Sequence, residues 1–520
     1  MGALRIRKEA AIGGSLPKKI KDVQKESLYK RIIKTAGIYS IAVAAGRMAS
    51  FLLLPVYTRY LSPADYGVLE LLELTSFIFS ALIGMRIGDA LFYYYAKANT
   101  PELKQQAVCT VFLGAGLLGA VGGTVGVALS PVLSKMVFGS EIYAAYFRMV
   151  FLTFSFSLSV EAGFCYLRAL DRPVSYVGAS IARLVVGIVL NVTLLMSGLG
   201  IYAVLWSSLL TTAAMAVYLG GSALSGVRLQ ERFSRPLLFQ FVRYSAPLGI
   251  SGLSMFVINY GDRFFLQKFA TLEEIGIYSL AYKLGMLITY IQTPFDVYWR
   301  SQMFSLVRKP NGDILFVRVA TYLALGLAFV VLLFSLFTGP VLQWMVPSTF
   351  WGAAQYVPWI AAAYVIRTVG AHFRCVFLLE GQTSKEVQVT AVGTLTCLAG
   401  YSILIPRYRV WGAVASTVAG FAAMFAVGLW QAQKVRRYAY EYGRLAAVGV
   451  TTTALIVLFV FAKPQNPFLQ IGLGMVLAGV YPLVLLWLGF ADDEERNLLG
   501  KLAGVVQRKV SQVRMLGERA

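Results

Sequence analysis

Eleven ionisable side chains fall inside stretches of this sequence that are otherwise apolar: Arg47, Arg86, Asp89, Arg148, Glu161, Arg183, Asp262, Arg263, Lys283, Arg367 and Arg374. A charge held in hydrocarbon costs about 3 kcal/mol on insertion scales, so each of these must face water, a ligand or a counter-charge. Eight are cations and three are acids. That excess fits a cavity that receives an anion, most simply a phosphate or diphosphate, which a planar guanidinium grips at two points. Arg47, Arg86, Arg263, Arg367 and Lys283 are the candidate ligands for such a group. The alternative is that Arg86 with Asp89, and Asp262 with Arg263, form internal pairs, while Arg183 and Arg374 reach back to the membrane surface. Asp262, Glu161 and Asp296 are candidates for ion coupling, because a desolvated carboxylate takes up a proton more readily. The competing reading pairs each of them permanently with an arginine. Tyr93, Tyr94, Tyr95, Asn259 and Tyr260 offer aromatic faces and an amide to sugars, or an interfacial belt.

Enzyme chemistry finds little to work with. The sequence Gly114-x-Gly116-x-x-Gly119 lies inside an apolar run with no strand before it, so it is not a dinucleotide loop. Gly119 and Gly123 instead give the small-residue spacing of close helix packing. Four cysteines without a C-x-x-C and a single histidine, His372, leave no metal site and no disulfide framework, so no cofactor is expected.

These residues sit in a chain built for lipid. Of 520 residues, 58% are hydrophobic and 14% charged, against about a quarter charged in a soluble domain. We read about fourteen spans, near 35–59, 66–95, 104–130, 142–167, 174–197, 200–224, 238–268, 275–303, 314–338, 352–379, 385–405, 410–433, 443–462 and 467–489. The net charge of +22 then points to an anionic leaflet and not to nucleic acid. With the N-terminus inside, about 33 Lys and Arg fall on the cytoplasmic side and about six outside, so both termini are expected to be cytoplasmic. The segment 1–34 is basic and too long and charged for a cleavable signal, and 490–520 reads as a basic amphipathic helix.

A repeat organises the spans. Arg59 to Glu73 is a weaker copy of Asp262 to Gly285, setting Gly67 on Gly276 and Asp65 on Glu274. A fainter trace sets Asp171 on Gly381. The offset spans six helices, an even number, so the halves 35–225 and 237–434 are expected to be parallel six-helix bundles related by an axis along the membrane normal, with 443–489 as two further helices. Gly67 and Gly276 open the second and eighth spans and are candidate pivots.

Tyr60-Leu-Ser-Pro-Ala-Asp-Tyr-Gly67 and Leu272-Glu-Glu-Ile-Gly276-Ile-Tyr-Ser-Leu-Ala-Tyr-Lys283, with Ala246-Pro-Leu-Gly249 and Leu378–Gln382, resemble the polysaccharide-flippase (Wzx-type) branch of the multidrug/oligosaccharidyl-lipid/polysaccharide exporter superfamily. The resemblance covers about residues 30–490. It implies an all-α polytopic protein of the inner (plasma) membrane that passes an undecaprenyl-diphosphate-linked glycan to the outer leaflet by alternating access. It also implies a lipid-linked substrate, lipid contacts, a proton or sodium as coupling ion, and polysaccharide-assembly proteins as partners. A drug antiporter on the same fold would favour an acidic or apolar cavity. A glycan polymerase or ligase would need a sizeable outer loop, and the outer loops here are short.

Overall fold

The structure is a computed structural model that describes residues 45–46, 48–49, 51, 53–83, 87–225, 233–307, 309–462, 464 and 466–492. The basic segment 1–34, Arg47, Arg86 and the expected tail helix after Asp492 lie outside the described residues. Among the described residues all regular structure is helical. In chain order the helices are α1 (Leu54–Tyr60), α2 (Pro63–Ile83), α3 (Ile87–Lys97), α4 (Pro101–Phe138), α5 (Ala144–Ala169), α6 (Pro173–Met196), α7 (Ile201–Leu224) and α8 (Arg235–Tyr260). There follow α9 (Asp262–Phe269), α10 (Leu272–Gly285), α11 (Leu287–Leu306), α12 (Gly312–Met345), α13 (Val357–Leu379), α14 (Ser384–Val435), α15 (Tyr442–Ala462) and α16 (Pro467–Trp487). By length and composition, ten helical stretches among the described residues are able to cross a membrane. Apolar side chains such as Val450, Phe461 and Trp487 stand exposed on them, as lipid-facing residues do. This is a multi-pass membrane protein.

Four expected spans acquire structure that hydropathy does not carry. The span expected at 238–268 is interrupted at Gly261, and that at 275–303 at Met286. At each break a tightened i→i+3 bond appears, from Phe264 N–H to Gly261 C=O (3.2 Å) and from Thr289 N–H to Met286 C=O (2.9 Å). The eleventh and twelfth spans follow one another in α14, separated by a sharp reversal at Arg409, whose φ is +48°.

The chain divides into two compact units. One holds the described residues up to Tyr60 together with Leu72–Leu253; the other holds Leu61–Leu71 and the chain from Ser254 onward. The sequence halves 35–225 and 237–434 therefore do not coincide with the units. The first part of α8 stays with the first unit because Phe241 is buried in a core shared with Leu91, Phe112 and Phe154, and Tyr244 stacks on Tyr93 at 4.9 Å. In that unit α4 lies close on α5: a Cβ on Gly119 would press on the Ser155 carbonyl, and one on Gly126 on the Phe151 ring. In the second unit, α15 and α16 bury Leu455, Phe459, Leu477 and Tyr481 against Leu332 and Leu336 of α12.

The start of α2 goes with the second unit because the two copies of the repeat pack on each other. Each begins with a reciprocal cap. The Ser62 N–H donates to Asp65 Oδ2 (3.0 Å) and the Asp65 N–H to Ser62 Oγ (3.1 Å). The Thr271 N–H donates to Glu274 Oε2 (2.8 Å) and the Glu274 N–H to Thr271 Oγ1 (3.1 Å). Gly67 and Gly276 then meet backbone to backbone. A Cβ on Gly67 would strike the Leu272 carbonyl oxygen, and one on Gly276 would strike that of Pro63, the matching residue of the other copy. The fainter trace is equally literal. Asp171 (φ +52°) and Gly381 (φ +69°) take the same left-handed turn. The Arg172 N–H reaches back to Leu167 C=O (3.1 Å) and the Gln382 N–H to Phe377 C=O (2.7 Å).

Because neither carbonyl at the crossing is the end of a flexible side chain, Gly67→Ala and Gly276→Ala are each expected to cost about 1–3 kcal/mol. A melting temperature of the purified variants in detergent checks this, and unchanged melting in both would show that the helices separate without penalty.

Candidate functional site

The helix breaks gather polar side chains that are scattered in the sequence. Asp262 and Arg263 begin α9 just after the interruption at Gly261, and Lys283 lies one turn before the interruption at Met286. Asp262 and Arg263 are each 1% exposed, and Arg263 is among the largest fully buried side chains of the protein. Its Nη1 donates to Asp262 Oδ1 at 2.6 Å and to the Asn259 carbonyl at 3.1 Å. Its Nε stands 3.8 Å from Glu70 Oε1 of α2, which also faces Lys283 Nζ at 3.3 Å. Tyr278 donates its hydroxyl to Asp262 Oδ2 at 2.5 Å. The guanidinium lies over the Tyr282 ring (3.8 Å), with Tyr278 at 4.9 Å and Tyr260 at 5.5 Å. Asp262 and Arg263 are thus enclosed in a shell of tyrosines, and Glu70 joins them to Lys283, whose side chain is half exposed. A burial of this kind is tolerable because charge, hydrogen bonds and aromatic faces are all supplied together.

A second layer grows from the first. Asn259 Oδ1 accepts from Arg367 Nη1 (3.0 Å) and lies 3.1 Å from the Tyr364 hydroxyl, which is 3.2 Å from the Tyr282 hydroxyl. A tyrosine has one proton to give, and Asn259 Oδ1 has none, so Tyr364 donates to Asn259 and accepts from Tyr282. Arg367 stacks on Tyr364 (5.0 Å) and Phe421 (5.6 Å). Among the described residues it forms no ion pair with an acidic side chain. Next to it, Thr368 donates to Gln292 Oε1, and Gln292 Nε2 donates to Asp296 Oδ2 at 2.6 Å. Arg367 is half-buried, with donor capacity left over, which is the condition of a residue able to take an anion.

The structure therefore brings Asp262, Arg263, Lys283 and Arg367 into one network and ties Asp296 to its edge. Of the two readings of Asp262 and Arg263, the internal pair is the one present: the Arg263 guanidinium is engaged by protein groups. Glu161 is exposed on α5 and belongs to the first unit. Arg374, expected to snorkel, is buried and bonded through Nε to both oxygens of Glu386 (3.2 and 3.0 Å). Glu70, Tyr278, Tyr282 and Tyr364 were not among the sequence candidates. Nothing in the sequence pairs Glu70 with residues 193 and more positions away, whereas Tyr278 and Tyr282 carry a weak signal as an i, i+4 pair one helix beyond an intramembrane acid.

Comparison with known proteins follows the same lines. The fold is similar to that of the lipid II flippase MurJ in an inward closed conformation, with a TM-score of 0.68 at 9% identity over 85% of this chain and 97% of that one. It is similar to an inward-facing multidrug resistance MATE family transporter of the MOP superfamily, with a TM-score of 0.58 at 15% identity, 78% of this chain and 96% of that one. An outward-facing transporter of the same kind gives 0.51 at 14% identity, covering 81% and 97%. At such identities the likeness is one of fold, and the fold is that of a polytopic helical transporter. The sequence pattern of the family described as "Polysaccharide biosynthesis protein" matches residues 32–296, and the chain belongs to that family. No curated protein matches the sequence significantly.

Removing one member of the buried pair should cost more than removing both. Asp262→Ala, which strands the Arg263 charge, is expected to lose about 3–5 kcal/mol. Asp262→Leu with Arg263→Met should recover a large part of that loss in the same melting assay. Equal destabilisation by the single and double changes would contradict the electrostatic account.

Proposed function

We propose that this protein is a flippase that moves an undecaprenyl-diphosphate-linked oligosaccharide from the inner to the outer leaflet for surface polysaccharide biosynthesis, working by alternating access. The observation that carries this reading is the state of Arg367. It is an intramembrane arginine, oriented by Asn259 and Tyr364, with no carboxylate partner among the described residues and donors to spare. A diphosphate offers the charge and the paired oxygens that complete it. Membership of the polysaccharide biosynthesis family and the flippase-like fold support the choice of a lipid-linked glycan over a simple anion.

In this reading Arg367 and Lys283 hold the diphosphate. Arg263 does not touch the substrate; it fixes the tyrosines and Asn259 from which Arg367 projects. Asp296, joined through Gln292 to Thr368, is the carboxylate we assign to a coupling proton or sodium. No bond in the substrate is made or broken. The basic excess in one set of connections supports both termini lying on the cytoplasmic side of the inner membrane. A cation-coupled multidrug antiporter is the second reading, favoured by the likeness to MATE transporters. The cation-rich interior argues against it.

Deletion of the gene, with analysis of lipid-linked glycans, separates the two. Accumulation of the glycan on the cytoplasmic leaflet is the expected outcome; unchanged glycans with altered drug sensitivity would favour the antiporter. Arg367→Gln is expected to lower glycan export at least tenfold, on the order of one charge-assisted contact, at wild-type protein levels. Full export by that variant would remove Arg367 from the substrate path.

A further inference from the structure

The two copies of the left-handed turn differ in electrostatics as much as they agree in backbone. In the second unit the turn after α13 carries Glu380, which accepts from Arg436 Nη1 at 3.2 Å, and Arg436 Nη2 donates to Asp313 Oδ1 at 2.7 Å. Other arginines at the ends of helices in that unit are likewise answered by acids: Arg374 by Glu386, Arg318 by Asp492 and Arg444 by Glu441. In the first unit the equivalent turn, after α5, has Leu170 where the second has Glu380. It has Arg168 and Arg172 where the second has Leu378 and Gln382.

Four cations stand at the helix ends around that first turn. The end of α3 supplies Lys97, the start of α4 supplies Lys104, and the end of α5 and the turn supply Arg168 and Arg172. Three of them, Lys97, Lys104 and Arg168, lie over ring faces. Lys97 Nζ donates to the Tyr93 hydroxyl (3.4 Å), Lys104 lies 5.2 Å from the Tyr95 ring centre, and Arg168 lies 5.1 Å from that of Phe92. Phe92, Tyr95 and Tyr166 pack against one apolar core, which brings the rings under Lys104 and Arg168 together. Among the described residues none of the four cations forms an ion pair with an acidic side chain. Ring faces attract a cation without neutralising it, so the positive charges at these helix ends remain.

We propose that Lys97, Lys104, Arg168 and Arg172 form a binding site for the phosphate headgroup of a membrane lipid. A lipid is the occupant because the cluster lies where helices of a membrane protein end, at the depth of headgroups, with aromatic rings of the interfacial kind around it. A phosphate is favoured because two guanidinium forks and two ammonium groups match its oxygens and its charge. A general excess of basic residues at helix ends does not by itself account for the cluster, since the arginines beside the repeat-related turn, Arg374 and Arg436, are answered by Glu386, Glu380 and Asp313. The site is separate from Arg367 and does not depend on what the protein transports.

The test uses full-length protein in phosphatidylcholine nanodiscs titrated with phosphatidylglycerol, with retained lipid counted by native mass spectrometry. Arg168→Gln with Arg172→Gln is expected to weaken retention about thirtyfold, two basic residues near an anionic lipid each contributing about a factor of five. Lys309→Gln with Arg437→Gln, which removes the same charge from exposed positions in the second unit, should leave retention unchanged. Equal loss in the two double variants, or no loss in either, would overturn the proposal. So would displacement of the lipid by an equal concentration of inorganic phosphate, which would make the ligand a free anion. If the first double variant does not fold, Arg172→Gln alone, at an exposed position, must weaken retention about fivefold.

Discussion

A fully buried guanidinium has to be answered from within the protein, and much of the second unit is arranged to do so. Arg263 draws one carboxylate from its sequence neighbour Asp262, a second from Glu70 on α2, a backbone carbonyl from Asn259, and three tyrosine faces from α8 and α10. Without these the charge would be intolerable at this depth. The helix breaks at Gly261 and Met286 flank this arrangement: Asp262 and Arg263 open α9 directly after Gly261, and Tyr282 extends the network through Tyr364 to Asn259 and Arg367.

The contact between Gly67 and Gly276 belongs to this arrangement. Two copies of one capped helix start can approach until each glycine lies on the other's first-turn carbonyl only because neither has a side chain there. That approach carries Glu70, one turn further along α2, to Arg263 and Lys283. Sequence symmetry, backbone contact and charge balance therefore depend on one crossing. The repeat, first visible as similar residues, is in the folded chain a pair of identical caps and a pair of identical left-handed turns.

The halves have diverged in what they leave unanswered. In the second unit, Arg318, Arg374, Arg436 and Arg444 at helix ends find acids, and Arg367 in the interior forms no ion pair among the described residues. In the first unit, Lys97, Lys104 and Arg168 at helix ends rest on rings. An internal repeat makes this difference readable, because each copy shows what the same backbone does with other side chains.

From the sequence alone came the solvent, the element type and the repeat. Hydropathy over twenty-residue windows reports what surrounds a helix, and that is a property of the segment. The alignment of Asp65 with Glu274 was legible in the same way, while their pairing with Ser62 and Thr271 as reciprocal caps came from the structure. The intramembrane charges stood out individually, and Asp262 beside Arg263 already offered an internal pair. What stayed hidden was which charge answers which. Glu70, Lys283 and Arg263 come from helices far apart in the chain, and Arg367 meets Asn259 across 108 positions. Only the packing of those helices, set by a glycine contact that no local pattern specifies, decided that Arg263 is enclosed and Arg367 left with donors to offer.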